Sequence, residues 1–598
     1  MTSVKNLSMK KRLLLLALPL GSLLFSSCQN AIFSSSFDEI NVVIEQGNDF
    51  TSDVPSRRIK RGADASFTIT CQNGAALVAS DYADYSIEST GTRYVYTAHS
   101  VRYSTTIVLS LSYHYCLYDG NGGLPRDGSG STSPIAKPVS PDHLRANAEL
   151  GQNLFYKTGY TFNGWNTNPD GGGDNILPGS RFDFTEGLTL YAQWILETPN
   201  QDFEYDILGK SATITKYLGT DETCIVPETL GGAEVKTISK NAFVSSTLKS
   251  LYLPRSLTSL EEDSLNCSSL NELSFFDTLS EVDDLSLTCP QLSKVRLFAN
   301  QSPRYSGTYY DAFSDKTDYL RKEATHLKIV LFSGSSGRYG YSSPQIEEAF
   351  PNYHIINLGV YAWANARPLM EWARHFMAKD DILLDAPEFD ARDAQFCISS
   401  AFDHHLWAMV ESDYSLLSLL DLRNYTNFFT SYHEFNASRS SMSEKNYFVS
   451  AKNYSDEGDL ISYPTYNDNG DYLLIRPNSA SDTLQALELC DYTRSSFSDL
   501  YFSSLNAAHT LFTDQGIRVF FSYSPRNWSS LTAQSTLEER QALDQEFCSS
   551  LKAPVISKLE DCLFSGIYFY RYDSHLSTEG AELRTQRIIA DLKAQGLN

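Results

Sequence analysis

Apolar and polar residues alternate through "ASFTITC" (65–71), "YSIEST" (85–90), "RYVYTAH" (93–99) and "TTIVLSLS" (105–112), with Gly, Asn and Asp turns between them. A period of two predicts half-buried strands, so residues 29–112 read as a small all-β domain. Past residue 318 the pattern changes. Unbroken apolar runs of strand length, "LKIVLFS", "YHIINLGV", "DDILLDAP" and "GIRVFFSYS", alternate with amphipathic stretches such as "RPLMEWARHFMA" and "STLEERQALDQEFCSSL". Strand–helix alternation of this kind predicts an α/β domain with a parallel sheet covered on both faces, its ligand site at the carboxyl ends of the strands.

Two further textures lie between. Residues 198–300 repeat: Leu248, Leu270 and Leu292 are 22 apart, and Leu251, Leu273, Val295 and the pair Cys267, Cys289 keep the same step. A period in the twenties with L-x-x-L-x-L in each unit is a leucine-rich repeat, whose coils bury their leucines only by stacking. The units resemble the surface-antigen type of bacterial adhesins. From Tyr113 to residue 197 the chain is rich in Gly, Asn and aromatics. Asp119-Gly120-Asn121-Gly122-Gly123, Gly159-Tyr160-Thr161-Phe162 with Gly164-Trp165, and Leu190-Tyr191-Ala192-Gln193-Trp194 resemble the Listeria–Bacteroides repeat, the B-repeat of internalins. That resemblance implies a β-grasp spacer at the cell surface. Asp119, Asp170 and Asp174 suit turn chemistry better than a calcium loop.

The amino terminus adds an address. Lys5, Lys10, Lys11 and Arg12 precede an apolar run from Leu13 to Phe25, which is too short to span a bilayer comfortably but suits a secretory signal. It ends in "LFSSC", which resembles a relaxed bacterial lipobox. This implies that residues 1–28 are a lipoprotein signal segment, that Cys28 is lipidated, and that the mature protein meets the membrane through that anchor, in the cell envelope. The net charge of −24 argues against nucleic acid as a partner. Of the 10 cysteines, those other than Cys28 form no CxxC pair, so they offer neither a zinc pattern nor a disulfide framework. No cofactor or metal is expected, and Asp403-His404-His405 reads as surface or core residues because neighbouring side chains diverge.

Candidate chemistry concentrates in 318–598, beyond an expected linker at 301–317. Ser333-Gly334-Ser335-Ser336 follows the first strand, Asn357-Leu358-Gly359 the second, "DAPEF" (385–389) the third, and "YDSHLSTEGAELRT" holds Asp573 and His575. These blocks resemble the SGNH, or GDSL-like, hydrolase and acyltransferase superfamily, with "NDNGD" (467–471) suiting its bacterial envelope members. The resemblance implies a flavodoxin-like fold. It implies Ser335 as nucleophile, His575 as base and Asp573 as its orienter. The N–H groups of Ser335 and Gly359 would face the oxyanion, with Asn365 or Asn357 as a further donor. Two departures stand out. Glu388 occupies the place of the superfamily's Asn, and Asp573 and His575 are separated by one residue instead of two. The whole reads as a lipid-anchored surface protein whose last domain is a serine esterase or O-acyltransferase for ester-linked acyl groups, plausibly of glycans. The alternative is a non-catalytic adhesin or scaffold that binds a glycan or a host surface protein.

Overall fold

The computed structural model describes residues 39–598 apart from 72–74, 91–92, 114, 139–153, 181–187, 283–286, 300–308, 360, 398–401, 412, 426, 439–466, 468, 474, 480–488 and 571–572. The expected signal segment, 1–28, and Cys28 therefore lie outside the described residues.

The first domain is all-β. Phe50–Ser52, Ala65–Cys71, Arg93–Ala98 and Tyr85–Thr90 form an antiparallel sheet in that order, and Ala65–Cys71 buries every second residue, as its period of two requires. "TTIVLSLS" is two strands, not one. Thr105–Ile107 pairs with Glu39–Ile44, and Leu109–Tyr113 pairs with Ala75–Ser80. The break falls at Val108, whose N–H donates to Asp81 Oδ1 at 2.8 Å.

In the next domain Tyr115–Asp119 and Leu188–Leu196 run parallel at the centre of a five-stranded sheet, flanked by antiparallel neighbours. First and last strands paired in parallel are compatible with a β-grasp. Trp165 fills the core against Tyr118 and Phe162, with ring centroids 4.9 and 5.0 Å away. Asp119 and Asp170 each accept a backbone N–H two residues on, at 2.7 and 2.8 Å, which is the turn chemistry expected of them.

The repeats stack into parallel ladders, with Leu251, Leu273 and Val295 in register along one of them. Cys267 and Cys289 are free thiols, donating to the carbonyls of Phe243 and Leu265 at 3.7 Å each. The last rung does not face water. Tyr432 Oη donates to the Leu279 carbonyl at 3.0 Å, the Leu422 N–H to the Ser293 carbonyl at 2.9 Å, and the Tyr432 ring packs 5.6 Å from Phe275. The C-terminal domain thus caps the solenoid and shares one apolar core with it. On the other side, Tyr252 Oη donates to the Phe162 carbonyl and Arg296 to Asn163 Oδ1 at 3.0 Å. Gly179, at φ +86°, lets the chain lie against Ala299 and Tyr414, where a Cβ would meet both within 2.8 Å. These three domains therefore meet at one junction.

The expected linker at 301–317 is corrected over 309–317, while 301–308 lie outside the described residues. From Tyr309 the chain is helical to Lys322, and Phe313, Lys316 and Thr317 are buried. The cause is apolar Phe313 and Leu320, which join the core of the α/β domain.

That domain holds four parallel strands in the order His354–Asn357, Lys328–Phe332, Ile382–Asp385, Arg518–Phe521. Alternate residues feed two cores. Val330, Phe332 and Leu383 face one with Trp372, Leu505 and Phe547, while Ile329, Leu331 and Leu384 face the other with Ile346, Ile588 and Leu592. Burial on both faces explains why these strands read as continuous apolar runs. In chain order the strands run 2-1-3-4, so the order reverses between the first and third. The crevice beyond their carboxyl ends is where such sheets bind ligands.

Candidate functional site

Ser335, Glu388 and the Asn357-Leu358-Gly359 turn all follow carboxyl ends of strands around that reversal. Ser335 opens a short helical turn, Ser335–Arg338, three residues past the first strand. The turn is forced close to its neighbours. A Cβ on Gly334 would come within 2.5 Å of Glu388 Oε1 and 2.7 Å of the Ala362 Cβ, so only glycine fits. Arg584, from the closing helix Thr578–Ala594, donates to the Ser336 carbonyl at 3.3 Å and to Tyr341 Oη at 2.7 Å, tying that helix to the turn.

His575 arrives from just ahead of the same helix, which Ser577 caps by accepting the Gly580 N–H at 3.1 Å. Its Nε2 lies 2.8 Å from Ser335 Oγ. Asp573 is buried two residues earlier. Its Oδ1 accepts from Asn527 Nδ2 at 3.0 Å and its carbonyl accepts the Asn527 N–H at 2.8 Å, so it pins the loop that carries His575. Burial first, then the guanidinium groups of Arg338 and Arg476, push the His575 imidazole down to about 3. It is therefore neutral at physiological pH, the state in which Nε2 can accept a proton.

Those two arginines belong to an aromatic wall that sequence reasoning missed. The Tyr339 ring lies 4.3 Å from that of His575, and Tyr472 stands at 4.9 Å from Tyr339. Arg338 and Arg476 lie over these tyrosines at 4.8 to 5.5 Å. The signal in the sequence was the Arg338-Tyr339 pair at the end of the Ser335 turn; Tyr472 and Arg476 come from far along the chain.

Glu388 stands beside the same turn. Its Oε1 accepts the Ser336 N–H at 2.5 Å and lies 3.3 Å from Ser335 Oγ. Burial, and then the nearby Asp390, push its carboxyl up to about 7. Oε1 therefore occupies the Ser336 N–H and competes with His575 Nε2 for the single Ser335 hydroxyl hydrogen, at the place where a serine acyl-transfer site would seat its oxyanion.

The expected oxyanion donors fare differently. Among the described residues the Ser335 N–H meets no acceptor. The Gly359 N–H is engaged, donating to Asn357 Oδ1 at 2.9 Å, because Asn and the residue two ahead close a local turn. Asn357 is itself committed: its Nδ2 donates to the Gly337 carbonyl and to Asp471 Oδ1, both at 3.0 Å. Asn365 uses its Oδ1 to cap the helix Ala366–Arg374, accepting the Arg367 N–H at 3.0 Å. Asp471, from "NDNGD", also accepts from Ser343 Oγ at 2.7 Å, so this segment braces the site from below. Asp403 caps the helix His404–Val410 by accepting the Leu406 N–H at 2.9 Å.

Residues 126–193 match the family model of the Listeria–Bacteroides repeat domain, and residues 225–334 match that of the BspA type leucine rich repeat region in 6 copies. The second match runs past the last solenoid strand, Lys294–Phe298, into the first strand of the α/β domain. Over 77 residues the chain is 50% identical to a protein of Evansella cellulosilytica whose name calls it a Gly-rich membrane protein, covering 13% of this chain and 9% of that one. Over 78 residues it is 41% identical to a second protein of that organism, named as a membrane protein, covering 13% and 11%. The chain thus spans about a tenth of the length of these curated relatives. The solved leucine-rich repeat protein of T. pallidum is similar at 20% identity over 17% of this chain and 64% of that one, with a TM-score of 0.14. Among the described residues no helix is long and apolar enough to cross a membrane. The chain is a multidomain protein that contains a Listeria–Bacteroides repeat followed by BspA-type leucine-rich repeats.

Proposed function

We propose that the C-terminal domain is an SGNH-like serine acyl-transfer site that hydrolyses or transfers ester-linked acyl groups, with the repeat modules displaying it at the bacterial surface on a lipid anchor at Cys28. The 2.8 Å approach of His575 Nε2 to Ser335 Oγ carries this reading. A hydroxyl attacks a carbonyl only once a base takes its proton; the neutral His575 imidazole is within reach to take it, and burial with the two arginines leaves it a weak base in the free protein. Asp573 positions the His575 loop. The Ser335 N–H and the Ser336 N–H, once Glu388 releases it, are placed to receive the oxyanion, each such donor being worth about 3 kcal/mol. Glu388 is the competent neighbour when neutral, because a protonated carboxyl donates a hydrogen bond to developing negative charge whereas a carboxylate repels it. Surface display rests on the two repeat types and on the membrane-protein names of the relatives. Glycan-borne esters are the acyl substrates this reading favours.

The test uses the whole chain, since the α/β domain shares its core with the solenoid. A fluorophosphonate probe and small acetyl esters are offered to the wild type, Ser335→Ala and His575→Ala. Labelling and turnover confined to the wild type support the reading; turnover unchanged by the substitutions rejects it. The second reading, a surface adhesin with an inactive domain, is favoured by Glu388 filling the oxyanion place and by the engaged Gly359 N–H. It predicts an inert wild type that binds glycan or matrix protein through residues 113–300.

A further inference from the structure

At the opposite end of the same sheet from Ser335, three side chains converge. Glu323 follows the helix Tyr309–Lys322, His326 lies three residues on, and His354 opens the strand His354–Asn357. His326 Nδ1 is 2.9 Å and His354 Nδ1 is 3.5 Å from a single oxygen, Glu323 Oε2, and ligand atoms from all three lie within 4.8 Å of one another. The backbone fixes this meeting. The His326 N–H donates to the Glu323 carbonyl at 3.0 Å, and the His354 N–H donates to the Leu327 carbonyl at 2.8 Å.

We propose that Glu323, His326 and His354 form a binding site for a divalent transition metal of the zinc class. Two imidazoles and one carboxylate are a common zinc ligand set, with a fourth position left for water. Bonds of about 2.0–2.2 Å in a tetrahedral shell place neighbouring ligand atoms about 3.3 Å apart, which the observed 2.9 and 3.5 Å bracket. Both imidazoles are half exposed or more, so each ring is free to turn its nitrogen the remaining distance. One carboxylate oxygen lies near two imidazole nitrogens, and an ion would satisfy all three groups at once. Glu323 and His326 come from the turn that follows one helix and His354 from a strand, so the metal would staple that turn to the sheet. That helix also carries Lys316, whose Nζ donates to the Gly359 carbonyl at 2.6 Å. The site lies away from the strand carboxyl ends, so its role is structural, and it stands whether or not Ser335 is a nucleophile.

Metal-free full-length protein is titrated with Co²⁺ and then Zn²⁺, reading the visible Co²⁺ absorption, calorimetric heat and melting temperature. The wild type should bind one equivalent with a tetrahedral Co²⁺ spectrum, and excess zinc should raise its melting temperature. Binding should weaken at least tenfold in His326→Ala and in His354→Ala. Both variants should keep the metal-free melting temperature of the wild type, since these side chains are exposed. No stoichiometric binding at micromolar zinc would overturn the proposal. So would binding undiminished in the double variant, which would place the ion elsewhere, for example at His404 and His405.

Discussion

His575 Nε2 lies 2.8 Å from Ser335 Oγ across 240 residues of sequence. Two elements of the α/β domain deliver this pair: the turn after its first strand and the loop ahead of its last helix. If the pair is a nucleophile and its base, Ser335→Ala and His575→Ala should each lower ester turnover by about 10³-fold or more. Fluorophosphonate labelling should vanish in both. Circular dichroism should stay unchanged, because neither side chain is part of an apolar core.

If the domain turns over esters, Glu388 should set the pH dependence. Its carboxyl is pushed up to about 7 by burial and by Asp390, so the neutral form persists well above the ordinary carboxylate range. His575, pushed down to about 3, stays neutral over the same interval. Turnover should therefore hold through mildly acidic pH and fall as pH rises through about 7. In Glu388→Gln, which stays neutral and keeps a donor, that alkaline fall should disappear. Stability follows the same sign. A group with a raised folded pKa contributes stability that is fully present below its unfolded value, about 4.3, and lost as pH climbs through about 7. The melting temperature of the wild type should thus decline across this window more steeply than that of Glu388→Gln.

Asn357 is buried and bridges three segments: the nucleophile turn at Gly337, the Gly359 turn and Asp471. Asn357→Ala leaves the Gly337 carbonyl, one Asp471 oxygen and the Gly359 N–H each short of a partner. The cost should be about 2–3 kcal/mol, read as a shift in the denaturation midpoint. Turnover should drop more than the folded fraction accounts for, because the oxyanion side of the site loosens.

Tyr432 caps the solenoid. Tyr432→Ala removes a fully buried ring against Phe275 and the bond to the Leu279 carbonyl, which should destabilise the chain by about 3–5 kcal/mol. Hydrogen exchange should speed up in the last rungs, residues 272–298, as well as around residue 432. If only the neighbourhood of residue 432 responds, the two domains do not stabilise one another.

The strands of the α/β domain were legible because each is buried on both faces and so reads as an unbroken apolar run. "LKIVLFS" and "DDILLDAP" contain Lys328–Phe332 and Ile382–Asp385. The 22-residue step of Leu248, Leu270 and Leu292 revealed the solenoid, since identical coils must repeat the same buried position. "TTIVLSLS" was misleading because a strand that changes partner at Val108 keeps its alternation through the break. The helix from Tyr309 was missed because its apolar positions, Phe313 and Leu320, are few and widely spaced.

Local pattern thus determined which segments become strands, repeats and helices, because periodicity and turn chemistry act over a few residues, and the resemblance of short blocks to a known superfamily named the serine and histidine as candidates. Tertiary structure decided the rest: that Glu388 reaches the Ser336 N–H, that Tyr339 and Tyr472 wall the imidazole with two arginines, and that the solenoid ends on Tyr432. Those contacts join residues tens to hundreds of positions apart. Their distances depend on how the sheet stacks its crossovers, and nothing in a short stretch of chain encodes that.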